Sequence, residues 1–237
     1  MKTVILAGGK GTRLKPYSTV FPKPLMPIGD TPILEIIIRQ LKARGLTDIV
    51  VAVGHLGELI MNFFGDGSKW GVNIGYCREE EPLGTAGALG LLKKDLTETF
   101  LVINGDTLTT LDYAGMAAAH EKSGAALTIA LSERDTHVDF AVAEMDGAGT
   151  VTAYTEKPTF HHTVSMGIYV CQPEVLDRVT PGERLDFPDL TKTLMAQGKP
   201  VKGYLFGGYW LDIGQPSDYE KANEEIDDIY PKLFTQP

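Results

Sequence analysis

The first fourteen residues constrain this chain more than any other stretch. Met1-Lys2-Thr3-Val4-Ile5-Leu6 reads as a short buried strand and runs directly into Ala7-Gly8-Gly9-Lys10-Gly11-Thr12-Arg13-Leu14. Three glycines after an apolar strand leave backbone N–H groups unobstructed, because glycine tolerates positive φ and has no Cβ. Such a loop can wrap phosphate oxygens closely. Arg13 and Lys23 place two cations beside it, and Lys23 stands between Pro22 and Pro24 on a stiff segment. Two known phosphate loops fit poorly. Leu14 occupies the place of the third glycine of the dinucleotide fingerprint, and no Gly-Lys-Ser/Thr closes a Walker A loop.

Strand-length apolar runs alternate with helical patterns through the first half. Residues 49–53 and 100–104 read as buried strands. Residues 32–41 read as a helix with Asp30 or Thr31 as cap and Pro32 at its first position, ended by Gly45. Further helices are expected over 55–64 and 85–92. This alternation predicts parallel βαβ units covered on both faces. The second half reads as strands over 126–131, 140–145, 151–155 and 164–170, helices over 173–179 and 187–197, a strand over 201–206 and an acidic helix over 216–230. The expectation is one α/β domain spanning 1–237, Rossmann-like and three-layered (α/β/α). Its central sheet would be mixed and mainly parallel, beside a smaller β subregion. In open α/β sheets ligands sit beyond the carboxyl ends of the strands, where the glycine loop and Asn104-Gly105-Asp106 fall.

The chain has 237 residues, enough for a sizeable core. Its formal net charge of −9 argues against electrostatic capture of nucleic acid or an anionic membrane. Cys77 and Cys171 stand apart from any Cys or His at zinc-ligand spacing, so free thiols in a reducing compartment are expected. No signal-like segment precedes the opening strand and no apolar run is of membrane length, so a cytoplasmic location is expected.

The opening loop with Pro22-Lys23-Pro24 resembles the signature of the sugar-1-phosphate nucleotidylyltransferases. The resemblance continues at Glu81-Pro82-Leu83-Gly84-Thr85-Ala86-Gly87, Asn104-Gly105-Asp106, Glu156-Lys157-Pro158 and Trp210-Leu211-Asp212-Ile213-Gly214, and covers nearly the whole chain. It implies the nucleotidyltransferase version of the fold, with 1–122 mainly nucleotide-binding and 123–237 mainly sugar-phosphate-binding. It further implies attack by a sugar 1-phosphate oxygen on the α-phosphate of an NTP, with Mg²⁺. Arg13 and Lys23 would act on the phosphates. Leu6, Ala7, Gly8, Gly9, Gly11, Thr12, Glu79, Pro82, Gly84 and Thr85 would bind the nucleotide. Asn104, Gly105, Ala141, Glu156, Lys157 and Gly167 would bind the sugar phosphate. Asp106 and Asp212 would hold the metal; an alternative for Asp212 is a cap for the helix near Pro216. Relatives commonly carry glycine where Ala141 stands, which leaves the sugar open. Glu79, Glu80 and Glu81 are either solvated or, at 79 or 80, opposite guanine, whose N1–H and N2–H₂ donors suit a carboxylate. GTP with a mannose-like or heptose-like sugar is the first expectation. Uridylyl or thymidylyl transfer to a glucose-like or amino-sugar phosphate is the alternative, and a catalytically silent nucleotide-sugar sensor is a rival of another class. The NTP and sugar 1-phosphate are the expected partners, in a monomer or homodimer without the β-helix or CBS modules of longer relatives.

Overall fold

A computed structural model describes residues 1–234. The elements run β1 (Lys2–Ala7), β2 (Pro27–Ile28), β3 (Thr31–Pro32), α1 (Ile33–Ala43), β4 (Asp48–Val53), α2 (Gly57–Phe64), β5 (Asn73–Arg78), α3 (Gly84–Leu91), β6 (Phe100–Asn104), β7 (Thr107–Thr109) and α4 (Tyr113–Ser123). They continue with β8 (Leu127–His137), β9 (Val142–Met145), β10 (Val151–Thr155), β11 (Thr159–Cys171), α5 (Phe187–Ala196), β12 (Val201–Leu205), β13 (Trp210–Asp212) and α6 (Pro216–Phe234).

Seven strands form one sheet in the order β12-β8-β11-β6-β1-β4-β5. β1 pairs parallel with β4 and β6, β4 with β5, and β8 with β12, while β11 runs antiparallel to both β6 and β8. The sheet is therefore mainly parallel, as the alternation predicts. Side chains alternate across a pleated strand, and the core divides accordingly. Val4, Val50, Phe100, Val102, Tyr169 and Cys171 face α3 and α5. Ile5, Val51, Leu101, Ile103, Ile168 and Val170 face α1, α2, α4 and α6. These two apolar layers make the three-layer stack.

The chain starts in the middle of the sheet, moves out through β4 and β5, and returns to β6 on the other side of β1. The connections diverge at the ends of β1 and β6, opening a crevice there. The register sets Leu6 beside Asn104, and Gly105 N–H donates to the Leu6 carbonyl at 2.9 Å.

Several sequence expectations change in detail. Pro32 is the residue before α1 rather than its first, and no side chain caps that helix, because Thr31–Pro32 is still extended and paired with Pro27–Ile28. Residues 173–178 form a 3-10 helix, and the strand expected from Phe140 begins at Val142. Helix α4 and the edge strand β5 were not expected. The Ala-rich α4 shows no bulky periodic stripe, and Asn73 and Gly75 interrupt the β5 pattern.

Candidate functional site

The crevice is a cavity of about 430 Å³ between the glycine loop, the 79–85 segment and the ends of β6 and β13. Leu6, Ala7, Gly8, Gly9, Gly11, Thr12 and Arg13 form one wall, and Lys23, Asn104, Gly105, Asp106 and Asp212 form the floor. Glu79, Pro82, Gly84 and Thr85 complete the lining, with Glu79 against Gly8.

The loop is shaped locally. Gly11 takes a left-handed conformation (φ 59°), so that its carbonyl accepts from Leu14 N–H at 2.9 Å and from Ser18 Oγ at 2.6 Å. Buried Leu14 anchors the turn, and Arg13 beside it points toward the crevice, packed with the Asp212 carboxylate against Gly214. Lys23 follows Pro22 in a short 3-10 turn. It is 8% exposed, and its ammonium pairs with Asp106 Oδ2.

Asp106 and Asp212 come together although 106 positions apart in a chain whose strands are short. Asp106 ends the β6 turn and Asp212 ends β13. Antiparallel β7 and β13 pair Thr107 with Asp212, and Ile213 N–H donates to the Asp106 carbonyl at 3.0 Å. The amides of Gly214 and Gln215 turn to Asp218 Oδ2 at 3.2 and 2.8 Å. Asp218 therefore does the capping, and Asp212 is left facing the cavity. Burial, then the Asp106 charge, push the Asp212 carboxyl above its ordinary range; Lys23 and Arg13 pull the other way. Asp106 Oδ1 is buried without a hydrogen-bond partner. An orphaned carboxylate oxygen beside a second carboxylate fits a divalent cation. Among the described residues no group of three or more His, Cys, Asp or Glu is placed to hold a metal.

The folded-state pKa of Asp212 lies above the unfolded one, so stability is full in acid and falls as pH rises through the folded value. Asp212→Asn should therefore melt a few degrees higher than wild type at mildly alkaline pH, with the gap closing in acid. Thermal scans without divalent cations at several pH values check this, and a variant that melts lower throughout contradicts it.

Beside the glycine loop, Glu79 lies where a Gly8 side chain would stand, and its Oε2 accepts from Leu83 N–H at 3.0 Å. Burial raises its pKa and the Leu83 bond lowers it. Glu80 and Glu81 line a neighbouring groove with Lys10, His55 and Arg78. Gly84 has φ 77°, and a Cβ there would meet the Leu185 carbonyl at 2.7 Å. Glycine at 84 thus admits the 183–187 segment. Thr85 donates from N–H and Oγ to Asp186 Oδ1 at 2.8 and 3.2 Å and accepts from Phe187 N–H. Its hydroxyl is committed to holding that segment. The outcome is Arg184 on the cavity wall, a third cation that no sequence motif marks.

The sugar-side residues are less gathered. Gly167 (φ 72°) lies against the Asn104 side chain, behind the floor. Ala141, Glu156 and Lys157 lie outside the cavity lining, on and beside the β9–β10 hairpin, where Glu156 and Lys157 are exposed.

Residues 2–229 match the family model described as Nucleotidyl transferase. The chain belongs to that family. It is 36% identical over 231 residues to a mannose-1-phosphate guanyltransferase of Schizosaccharomyces pombe, covering 92% of this chain and 62% of that protein. It is 34% identical over 241 residues to a UTP–glucose-1-phosphate uridylyltransferase of Synechocystis, covering 94% and 62%. The crystal structure of HddC from Yersinia pseudotuberculosis complexed with GMP-PN superposes with a TM-score of 0.74 at 28% identity, covering 95% of this chain and 99% of that one. The chain thus spans about 62–66% of the length of such curated relatives.

Proposed function

We propose that this chain transfers a nucleotidyl group from an NTP to a sugar 1-phosphate, giving an NDP-sugar and pyrophosphate. The observation that carries this is the convergence of a glycine cradle, the cations Arg13, Lys23 and Arg184, and the carboxylates of Asp106 and Asp212 on one crevice. A phosphate oxygen of the sugar 1-phosphate attacks the α-phosphorus, and the bond to the bridging β-phosphate oxygen breaks. The nucleophile is already an anion, so no base has to take a proton. The remaining tasks are in-line positioning and relief of negative charge. The backbone amides of the glycine loop and Arg13 hold the β- and γ-phosphates through the step. Lys23 bridges the α-phosphate and the incoming sugar phosphate. Asp106 and Asp212 would hold Mg²⁺, which when bound neutralises phosphate charge and orients the two phosphates.

Residues 1–122 serve the nucleotide and 123–237 the sugar phosphate, and Glu156, Lys157 and Ala141, outside the cavity lining, would reach the sugar from the β9–β10 hairpin. GTP is the preferred NTP and a mannose-like or heptose-like phosphate the acceptor. Glu79 in the cavity wall supports guanine, and the uridylyltransferase likeness keeps UTP as the second reading. Unpaired, buried Cys77 and Cys171 support a reducing cytoplasm, where the chain acts as a monomer or homodimer. Among the described residues no helix is long and apolar enough to cross a membrane.

The test is pyrophosphate release with Mg²⁺ across ATP, GTP, CTP, UTP and dTTP against a panel of sugar 1-phosphates. Release that needs one particular pair establishes the reaction and both substrates. No release, with tight nucleotide-sugar binding, favours the sensor. Glu79→Gln should then lower the preference for GTP over UTP by about 10-fold to 100-fold, since a bidentate pairing with a base edge is worth about 1–3 kcal/mol. An unchanged ratio removes Glu79 from base reading.

A further inference from the structure

We propose that Gln40 is a positioning residue for the paired carboxylates, tying the ribbon that carries them to the terminal helix. The inference rests on the reading of Asp106 and Asp212 as the metal-holding pair. Gln40 lies on α1, 1% exposed. Its Nε2 donates to the Thr109 carbonyl at 2.7 Å and to the Leu233 carbonyl at 3.0 Å. Thr109 ends β7, three residues after Asp106 and opposite Trp210 of β13. Leu233 is in the last described turn of α6.

The two acceptors fix which way the amide points, since the reverse orientation would set Oε1 against two carbonyl oxygens. Oε1 is in consequence buried with no donor. An apolar side chain would fill this space without that orphan. What an amide adds is two N–H groups diverging to carbonyls on separate elements. The preceding residue adds a second link from α1 to α6, with Arg39 Nη1 donating to Tyr230 Oη at 3.3 Å. At the far end of the ribbon, Thr110 N–H and Thr109 Oγ both donate to the Tyr209 carbonyl at 3.0 Å. The ribbon is short, with three residue pairs, so its own ladder holds it weakly. Gln40 supplies the outside support that keeps Asp106 and Asp212 at one spacing.

The test uses Mn²⁺ alone on the full chain without nucleotide, with free Mn²⁺ read by electron paramagnetic resonance. Gln40→Met keeps length and volume and removes both donors. It should weaken Mn²⁺ binding by about 10-fold or more, the usual effect of losing an outer support at a metal site. In turnover, the half-saturating Mg²⁺ should rise by a similar factor, while KM for the NTP at saturating metal stays unchanged. Gln40→Asn keeps an amide that is one methylene too short to span both carbonyls, and it should fall between; it carries the same criterion if Gln40→Met does not fold. Wild-type Mn²⁺ affinity in a folded variant, whatever its melting temperature, overturns the proposal, as does absence of Mn²⁺ binding by the wild type. Mn²⁺ binding that responds to Gln40, without pyrophosphate release from any substrate pair, overturns the reaction and leaves this positioning role standing.

Discussion

Asp106→Asn is expected to lower turnover by about 10³-fold, some 4 kcal/mol of transition-state stabilisation, while leaving the fold intact. The carboxylate does two jobs from one position. Its Oδ2 holds the Lys23 ammonium, and its Oδ1 is buried without a hydrogen-bond partner, an acceptor that a cation would satisfy. An amide has no charge for either. The substitution keeps the size of the side chain, so the backbone bond from Ile213 N–H to the 106 carbonyl is undisturbed and the ribbon should pair as before. Asp212→Asn should lose less, because Asp212 has no such ion pair to break. Pyrophosphate release and circular dichroism on both variants check this. Near-wild-type turnover in a folded Asp106→Asn chain would remove Asp106 from the site.

Lys23→Met should cost about 10²–10³-fold in kcat, the range found when one donor to developing charge is lost. Methionine preserves the apolar stem but not the ammonium. Its loss leaves Asp106 and Asp212 facing each other with Arg13 as the nearby cation. Lys23 lowers the pKa of Asp212, so its removal lifts that carboxyl further above the ordinary range. Asp212 must be ionised to hold a divalent cation. The acid limb of the pH–rate profile should therefore move to higher pH in the variant. A fall in kcat with an unmoved limb would mean that Lys23 acts on the phosphates alone and has no hold on the carboxylate pair.

How much of this was legible beforehand depends on how local each signal is. The glycine loop, Lys23 between prolines and the Asn104-Gly105-Asp106 strand end are short, contiguous patterns, and the structure sets them on one crevice. The parallel sheet was legible because Val4-Ile5, Val50-Val51 and Val102-Ile103 belong to apolar runs of strand length. Arg184 was not, since its place follows from Thr85, Gly84 and Asp186 locking segments about 100 residues apart. The role of Gln40 was hidden for the same reason: a glutamine in a helix says nothing of carbonyls near residues 109 and 233. Glu156 and Lys157 were visible as a motif, yet sequence alone does not report that their hairpin stands clear of the crevice.

The β7–β13 ribbon also bears on the order in which this protein can become competent. The glycine loop, Lys23 and Asp106 lie in the first 106 residues, whereas Arg184 and Asp212, which line the same cavity, come from the second half of the chain. During synthesis the glycine loop and Lys23 are made well before Asp212. The β7–β13 pairing closes a long loop, an entropically late event in folding. On the proposed reading, the ribbon is therefore the step that brings the second carboxylate to a site whose other parts are made earlier in the chain.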